Sequence, residues 1–306
     1  MKLAIIILNY NGKRDTLECL KTVEDLETPS LVTRIKKIVV DNASQDGSLQ
    51  LIRKKFPKIE LIVNKKNLGF AQGNNIGIQW ALKKDYDYFL LLNNDTLVDK
   101  SLLIHLFKVI KKDKKIAITV PKIYFAPGYE YHRDRYTPEE RGRVIWYAGG
   151  RIDWQNVLAF HHGVDQVDKG QFNRLEETNF ASGCCFLIKR KVLKKVGLFD
   201  QRYFLYLEDV DLCQRVKEAG FKIVFVPQAK VWHKNAGSSK VGGGLHDYYL
   251  TRNRFLFGMK FASLRTKISL FKDGVRILFK GREEQKKGAR DFFLYQWGKR
   301  KSQKKD

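Results

Sequence analysis

The sequence predicts an α/β fold, with a mostly parallel central sheet flanked by helices and a basic helical C-terminal extension. Three observations predict it. Short apolar runs alternate with helix-period segments through the first hundred residues, which implies parallel strands with helices on both faces. Each apolar run ends in Asn, Asp or Gly. Residues 246–306 carry 17 Lys or Arg against 6 Asp or Glu, interleaved with Phe, Leu and Ile.

The elements follow in order. Lys2 to Leu8 reads as a strand buried on both faces, because its apolar run does not alternate. Asp15 to Leu26 has Leu17, Leu20 and Val23 at helical spacing. Lys36 to Val40 is a second strand. Ser44 and Asp46 offer caps for a helix running to Phe56, and Pro57 stops it. Ile59 to Val63 is a third strand, Ala71 to Lys84 a helix and Tyr86 to Leu92 a fourth strand. Later, Cys185 to Ile188 and Lys222 to Val226 read as strands, and Leu212, Val216 and Ala219 mark a helix that Gly220 ends. Phe125 to Arg143, with Pro127, Gly128 and Pro138, reads as a long loop. A lid, an acceptor-binding segment and plain disorder all fit it.

Composition narrows the function. The chain has 306 residues, 43% hydrophobic and 30% charged, which is a globular balance. The formal net charge of +25 predicts an anionic partner. No run approaches the roughly 20 apolar residues of a membrane span. Met1 to Ala4 leads directly into a strand-like run too short for a signal-peptide core. The expectation is a cytoplasmic protein, peripheral on the inner face of the membrane. Cys19, Cys184, Cys185 and Cys213 show no metal spacing and read as buried, reduced thiols.

In parallel sheets, ligands bind beyond the carboxyl ends of the strands. Those ends carry Asn9-Tyr10-Asn11-Gly12, Asp41-Asn42-Ala43-Ser44, Asn64 to Gly69 and Asn93-Asn94-Asp95. Any one cluster fits a turn; four on one edge predict a site for a polar ligand. Neither GxGxxG nor GxxxxGK[ST] follows the first strand, so a diphosphate needs another holder. A divalent ion on Asp95 would serve, since Mg²⁺ takes one or two carboxylates and completes its shell with phosphates and water. Glu208, Asp209 and Asp211 crowd a helix start behind Phe204 to Leu207, which suits either a dipole interaction or a general base of shifted pKa. His233 closes a strand-like segment, as Asp95 does.

These motifs resemble family 2 glycosyltransferases of GT-A fold, most of all the rhamnosyltransferase-like branch. The likeness runs from Ile5 to about Phe257. It rests on Ile7 to Gly12, Val40 to Ser48, Asn67 to Gly77, Leu92 to Asp95, Ala181 to Phe186, Gly197 to Asp200, Tyr206 to Cys213 and Trp232-His233. The resemblance implies that Leu8, Asn9 and Tyr10 hold the nucleotide and that Asp41 accepts a hydrogen bond from its pyrimidine. Asn75 would line the same pocket, and Asn94 would sit near the ribose or diphosphate. Asp95 and His233 would bind Mg²⁺ or Mn²⁺, and Asp209 would be the general base. Ser182, Gly183 and Glu208 are assigned to the acceptor side, although Ser182-Gly183 also fits a tight turn before a strand. The family's DXD position begins here with Asn93, leaving one carboxylate for the metal.

The implied organisation is a GT-A domain over 1–245, divided at 98 into nucleotide-binding and acceptor halves, and a helical extension over 246–306. The implied reaction is inverting transfer of a sugar, rhamnose or another hexose, from a UDP- or dTDP-linked donor to a lipid-linked or cell-envelope glycan. The extension either packs on the core with a solvated basic face or lies on anionic lipid. Nucleic acid is not expected, because no recognised module for it is present. The competing readings are a sugar nucleotidyltransferase and a non-catalytic basic membrane- or nucleic-acid-binding relative. The first lacks its Gly- and Arg-rich loop after strand one; the second is disfavoured by Asp95, Asp209 and His233.

Overall fold

The computed structural model describes residues 1–234 and 243–300. Elements in chain order are β1 (Lys2–Asn9), α1 (Lys13–Glu24), β2 (Arg34–Asp41), α2 (Ser48–Lys55), β3 (Glu60–Val63), α3 (Gly69–Lys83) and β4 (Tyr88–Asn93). Next come β5 (Thr96–Val98), α4 (Leu102–Ile110), β6 (Ile116–Phe125), β7 (Ile145–Tyr147), β8 (Gly150–Asp153), β9 (Leu158–His161) and β10 (Glu176–Glu177). The chain continues through β11 (Cys185–Lys189), α5 (Arg190–Val196), α6 (Glu208–Glu218) and β12 (Lys222–His233). It closes with α7 (Gly244–Phe261), α8 (Leu264–Lys280) and α9 (Glu283–Phe293).

The main sheet runs β10-β12-β6-β11-β4-β1-β2-β3, with β5 and β7 attached to β12 and β6. β1 pairs in parallel with β2 and β4, and β2 with β3. Leu3 to Ile7 are fully buried, as a strand covered on both faces requires. β11 is the departure from the parallel expectation. It enters antiparallel between β4 and β6 and turns the far half into a mixed sheet.

Register levels the strand tips. Asn9 stands opposite Asp41, Leu8 opposite Asn93, and Asp41 opposite Val63. Helix α3 sits close to this sheet through its glycine stripe. A Cβ on Gly73 would lie 2.5 Å from Leu8 Cδ1, and one on Gly77 2.7 Å from Ile6 Cγ2. At the start of α3, Gly69 adopts φ +79°, and a Cβ there would meet the Phe204 carbonyl at 2.5 Å.

Three local expectations shift. The strand expected from Tyr86 begins at Tyr88, because Asp85 turns at φ 58° and Tyr86 N–H returns to the Ala81 carbonyl. The strand expected to end at Val226 continues to His233, through a register irregularity between Val226 and Lys230. The 125–143 segment is packed rather than loose: Phe125, Tyr136 and Val144 form a small cluster, and Glu130 is buried. The extension shares the main core, into which α7 inserts Phe255, Leu256 and Phe257. Its last residues, 301–306, lie outside the described residues. All four cysteines are buried thiols.

Candidate active site

Asn9 is the hub of the sheet's carboxyl edge and has no exposed surface. Its Nδ2 donates to Asp41 Oδ2 (2.7 Å), Ser48 Oγ (3.0 Å) and Ser44 Oγ (3.1 Å). Its Oδ1 accepts from Thr16 Oγ1 at 2.7 Å and from Gly12 N–H at 3.3 Å. Asn94 closes the floor, its amide donating to Thr16 Oγ1 at 2.9 Å. A Cβ on Gly12 would come within 2.2 Å of that amide, so a larger residue there would have to displace the Asn94 side chain. Asp41 is enclosed and accepts from Asn9 and from Ser44 N–H (2.8 Å). A carboxylate has about four lone-pair sites, so Asp41 retains acceptor capacity. Leu8 is half-buried, aimed at the Gly73 position, while Tyr10 is 45% exposed at the rim.

Asn75 is buried, with Nδ2 donating to the Phe199 carbonyl (2.8 Å) and Oδ1 accepting from Phe199 N–H (3.0 Å), and so ties α3 to the 197–200 segment.

Asp95 and His233 meet because β5 and β12 are antiparallel, with Thr96 opposite His233. His233 Nε2 lies 3.1 Å from Asp95 Oδ1. Burial pushes the Asp95 carboxyl up, but attraction to His233 and their hydrogen bond outweigh it and hold the group below its ordinary range. The edge of Trp146 meets the His233 ring at 4.6 Å, and the His161 ring flanks the same indole at 4.4 Å. Lys234 fixes the next position, donating its N–H to the Asp95 carbonyl at 2.9 Å and its ammonium to Asp15 and Glu18.

This pair fits a small divalent ion. Adjacent ligands about 2.1 Å from an octahedral centre stand roughly 3.0 Å apart, close to the observed separation. Among the described residues no group of three or more His, Cys, Asp or Glu is arranged to hold an ion.

β11 connects this pair to the carboxylates of α6. The Cys184 carbonyl accepts from Asn93 N–H at 2.8 Å, placing Ser182 and Gly183 beside the β4 tip. Gly183 N–H donates to Asp209 Oδ2 at 2.7 Å, and Val210 N–H to Asp209 Oδ1 at 2.8 Å. A Cβ on Gly183 would stand 3.3 Å from that Asp209 oxygen. Ser182 is buried, its Oγ accepting from Cys184 N–H, so the tight turn is the role the structure gives it.

The three acidic groups of α6 divide by environment. Asp211 is structural: it pairs with Arg215 at 2.8 Å and with Lys260 of α7. Burial raises the Glu208 carboxyl well above its ordinary range, and the Asp209 charge adds to the rise. Glu208 Oε2 is buried without a hydrogen-bond partner among the described residues. Burial also raises Asp209, but the N–H donors of Gly183 and Val210 oppose it. Glu208 therefore keeps the proton and Asp209 is the group that ionises. Glu208→Gln replaces one neutral side chain with another, so turnover and the acidic limb of the rate profile should both stay near wild type. Stability follows the same logic. A raised carboxyl favours the fold below its unfolded pKa and loses that contribution as pH rises through the folded value. The variant's thermal advantage should therefore grow with pH, by about 2–4 °C for each kcal/mol relieved. Thermal scans across pH check this; an advantage confined to acid would contradict it.

Sequence reasoning missed the groups that hold the approach to Asp209. Phe204, Tyr206 and Leu207 all take positive φ, at 63°, 71° and 69°. Asn253 of α7 donates to the carbonyls of Leu205 (2.7 Å), Tyr206 (2.9 Å) and Tyr203 (3.0 Å). Arg252, 1% exposed, donates to the carbonyls of Gly298 (2.8 Å), Tyr203 (2.9 Å) and Arg202 (3.0 Å). The available signal was the polar stretch Thr251 to Arg254 inside the aromatic run Tyr248 to Phe257.

Comparison with known proteins identifies the family and the fold. Residues 4–197 match glycosyl transferase family 2. The chain is 26% identical over 228 residues to the N-acetylglucosaminyl-diphospho-decaprenol L-rhamnosyltransferase of Mycobacterium tuberculosis, covering 70% of this chain and 72% of that one. It is 24% identical over 256 residues to the low-salt glycan biosynthesis hexosyltransferase Agl10 of Haloferax volcanii, covering 83% and 74%. Among solved structures, GalNAc-T7 with UDP, GalNAc and Mn²⁺ superposes with a TM-score of 0.64 at 18% identity. That match covers 95% of this chain and 54% of the other, so this chain spans about half of that structure. The mannosyltransferase PcManGT from Pyrobaculum calidifontis, in complex with GDP-Man and Mn²⁺, gives 0.55 at 14% identity, covering 94% and 73%. The fold is GT-A, and the chain belongs to glycosyl transferase family 2: it is a glycosyltransferase.

Proposed function

We propose that the enzyme transfers a hexose, rhamnose in the best-supported case, from a UDP- or dTDP-linked donor to a lipid-linked or cell-envelope glycan, with inversion. The observation that carries this reading is Asp209: a half-buried carboxylate of raised pKa, held by the N–H donors of Gly183 and Val210, beside a turn whose Cys184 carbonyl accepts from Asn93 N–H at the β4 tip. Rhamnose and a lipid-linked acceptor are supported by the activity named for the mycobacterial relative. A cytoplasmic setting at the membrane's inner face fits that acceptor; among the described residues no helix is long and apolar enough to cross a bilayer.

In this mechanism Tyr10 and the backbone of Leu8 and Asn9 flank the nucleotide, and Asp41 accepts from the base. Because Asp41 is enclosed, the base reaches it by displacing the loop groups that cover it. Asn94 keeps the loop after β1 closed under the ribose and diphosphate. Asp95 and His233 would hold Mg²⁺ or Mn²⁺, which supplies Lewis acidity to the departing diphosphate. Asp209 removes the acceptor hydroxyl proton as that oxygen attacks the anomeric carbon, opposite the bond to phosphate that breaks. Glu208, protonated, keeps the second negative charge away from Asp209, and the Ser182-Gly183 turn holds Asp209 in place on the acceptor side.

A panel of UDP- and dTDP-sugars with Mn²⁺ tests the reading. Nucleoside diphosphate should be released from one of them, and NMR of the product should show the opposite anomeric configuration. Retained configuration would overturn the single displacement. Release of pyrophosphate from a sugar phosphate and a nucleoside triphosphate would mark a nucleotidyltransferase instead.

A further inference from the structure

Helix α8 has an apolar stripe that nothing in the described fold covers. Leu264, Ile268, Phe271, Val275 and Phe279 are 75%, 51%, 52%, 38% and 75% exposed. At 3.6 residues per turn they fall within an arc of about 80°, along the whole helix. Single exposed apolar residues are ordinary, but a continuous line of five marks an interaction surface. The stripe is not a core face that failed to pack, because α8 has a separate inward face. Leu270 and Gly274 are buried; Leu270 lies against Gly258 of α7, and Gly274 against the Phe293 ring of α9.

Charge identifies what the stripe meets. Arg265, Lys272, Arg276 and Lys280 project from the arc beside it, on the side away from the packed face. Asp273, the one acidic residue in α8, is already paired with Arg254 and Arg276. Apolar side chains flanked along one side by bases are the pattern of a helix lying in the plane of an anionic bilayer surface, with its apolar face below the headgroups. The rest of the extension reinforces the sign, since residues 246–306 carry 17 basic against 6 acidic residues.

We infer that α8 docks on anionic lipid, its Leu264–Phe279 stripe inserted at the headgroup boundary and its adjacent bases on the lipid phosphates. This deepens the reading of the site as a transferase for a lipid-linked acceptor. The docking helix packs on α7, and α7 carries the Arg252 and Asn253 that hold the loop before Asp209. Acceptor capture and the general base would then belong to one packed unit.

The test is co-sedimentation of the full chain with sucrose-loaded vesicles of phosphatidylcholine alone or mixed with phosphatidylglycerol. The wild type should partition to the mixed vesicles and weaken with added salt. Leu264→Ser/Ile268→Ser/Phe279→Ser should lose on the order of a hundredfold in partitioning. Its thermal midpoint should hold, because the three side chains are exposed. Lys272→Glu/Lys280→Glu should lose about tenfold or more. Absence of wild-type binding at low salt would overturn the inference. So would binding that the charge variant abolishes and the stripe variant leaves intact, or a stripe that serves only to join two copies of the chain in gel filtration. Catalysis is not needed for sedimentation. Transfer without vesicle binding would reject the docking surface alone; vesicle binding without transfer would reject the proposed activity alone.

Discussion

Asp209→Asn should lower turnover by about 10²–10⁴-fold and leave donor affinity nearly unchanged. The Gly183 and Val210 N–H groups bind different oxygens of Asp209, so asparagine keeps one of these contacts and gives up the other, while the residues at the β1 and β2 tips are untouched. What is lost is the site that takes the acceptor proton, an interaction made as the bond forms and not when the donor binds. Initial rates with a saturating acceptor, set beside donor titrations, separate the two. The residual rate should also lose the acidic limb that the raised Asp209 carboxyl imposes on the wild type. Wild-type turnover in this variant would remove Asp209 from the mechanism.

Arg252→Ala should cost about 3–5 kcal/mol of stability, the largest effect expected outside the β-sheet core. The side chain is buried and serves backbone carbonyls at Arg202, Tyr203 and Gly298, each of which would be left short of a donor. It also sits over the Tyr249 ring, 5.0 Å from the centroid. Calorimetry should show a fall in thermal midpoint on the order of 10 °C. Asn253→Ala should divide differently. Three non-glycine residues of positive φ precede Glu208, each costing on the order of 1–3 kcal/mol unless the surroundings enforce it. Asn253 supplies that enforcement at three carbonyls. Without it the loop relaxes, and turnover should fall about 10–100-fold with a smaller midpoint change, since a misplacement of an ångström costs that much. Unchanged turnover would show that the loop holds its shape unaided.

The contrast between Asp209 and Asn253 shows where sequence reasoning reached. Asp95, Asp209 and His233 stood out as candidates in the sequence because each follows a strand-like run or opens a helix-like one, and the structure brings Asp95 and His233 within 3.1 Å. The parallel strands were legible for the same reason, since burial on both faces leaves an unbroken apolar run such as Leu3 to Leu8. Asn253 and Arg252 have no such local sign. Their partners lie about fifty residues earlier, and only the fold brings α7 to them. Trp146 is similar: its contact with His233 joins residues far apart in the chain. Glu176–Glu177 is an exposed two-residue strand with no apolar pattern to betray it. Asn75 is of the same kind: an amide in a polar, glycine-rich stretch, whose contacts with the backbone of Phe199 join residues far apart in the chain.

In the proposed mechanism Asp95 and His233 share one cation with a nucleotide diphosphate. Isothermal titration of UDP and dTDP into the wild-type chain and into His233→Ala, with and without Mn²⁺, measures this directly. One nucleotide should bind the wild type tightly only when Mn²⁺ is present, and the variant should lose that dependence together with most of the affinity. Equal affinity in the presence and absence of Mn²⁺, or an undiminished metal effect in His233→Ala, would contradict it.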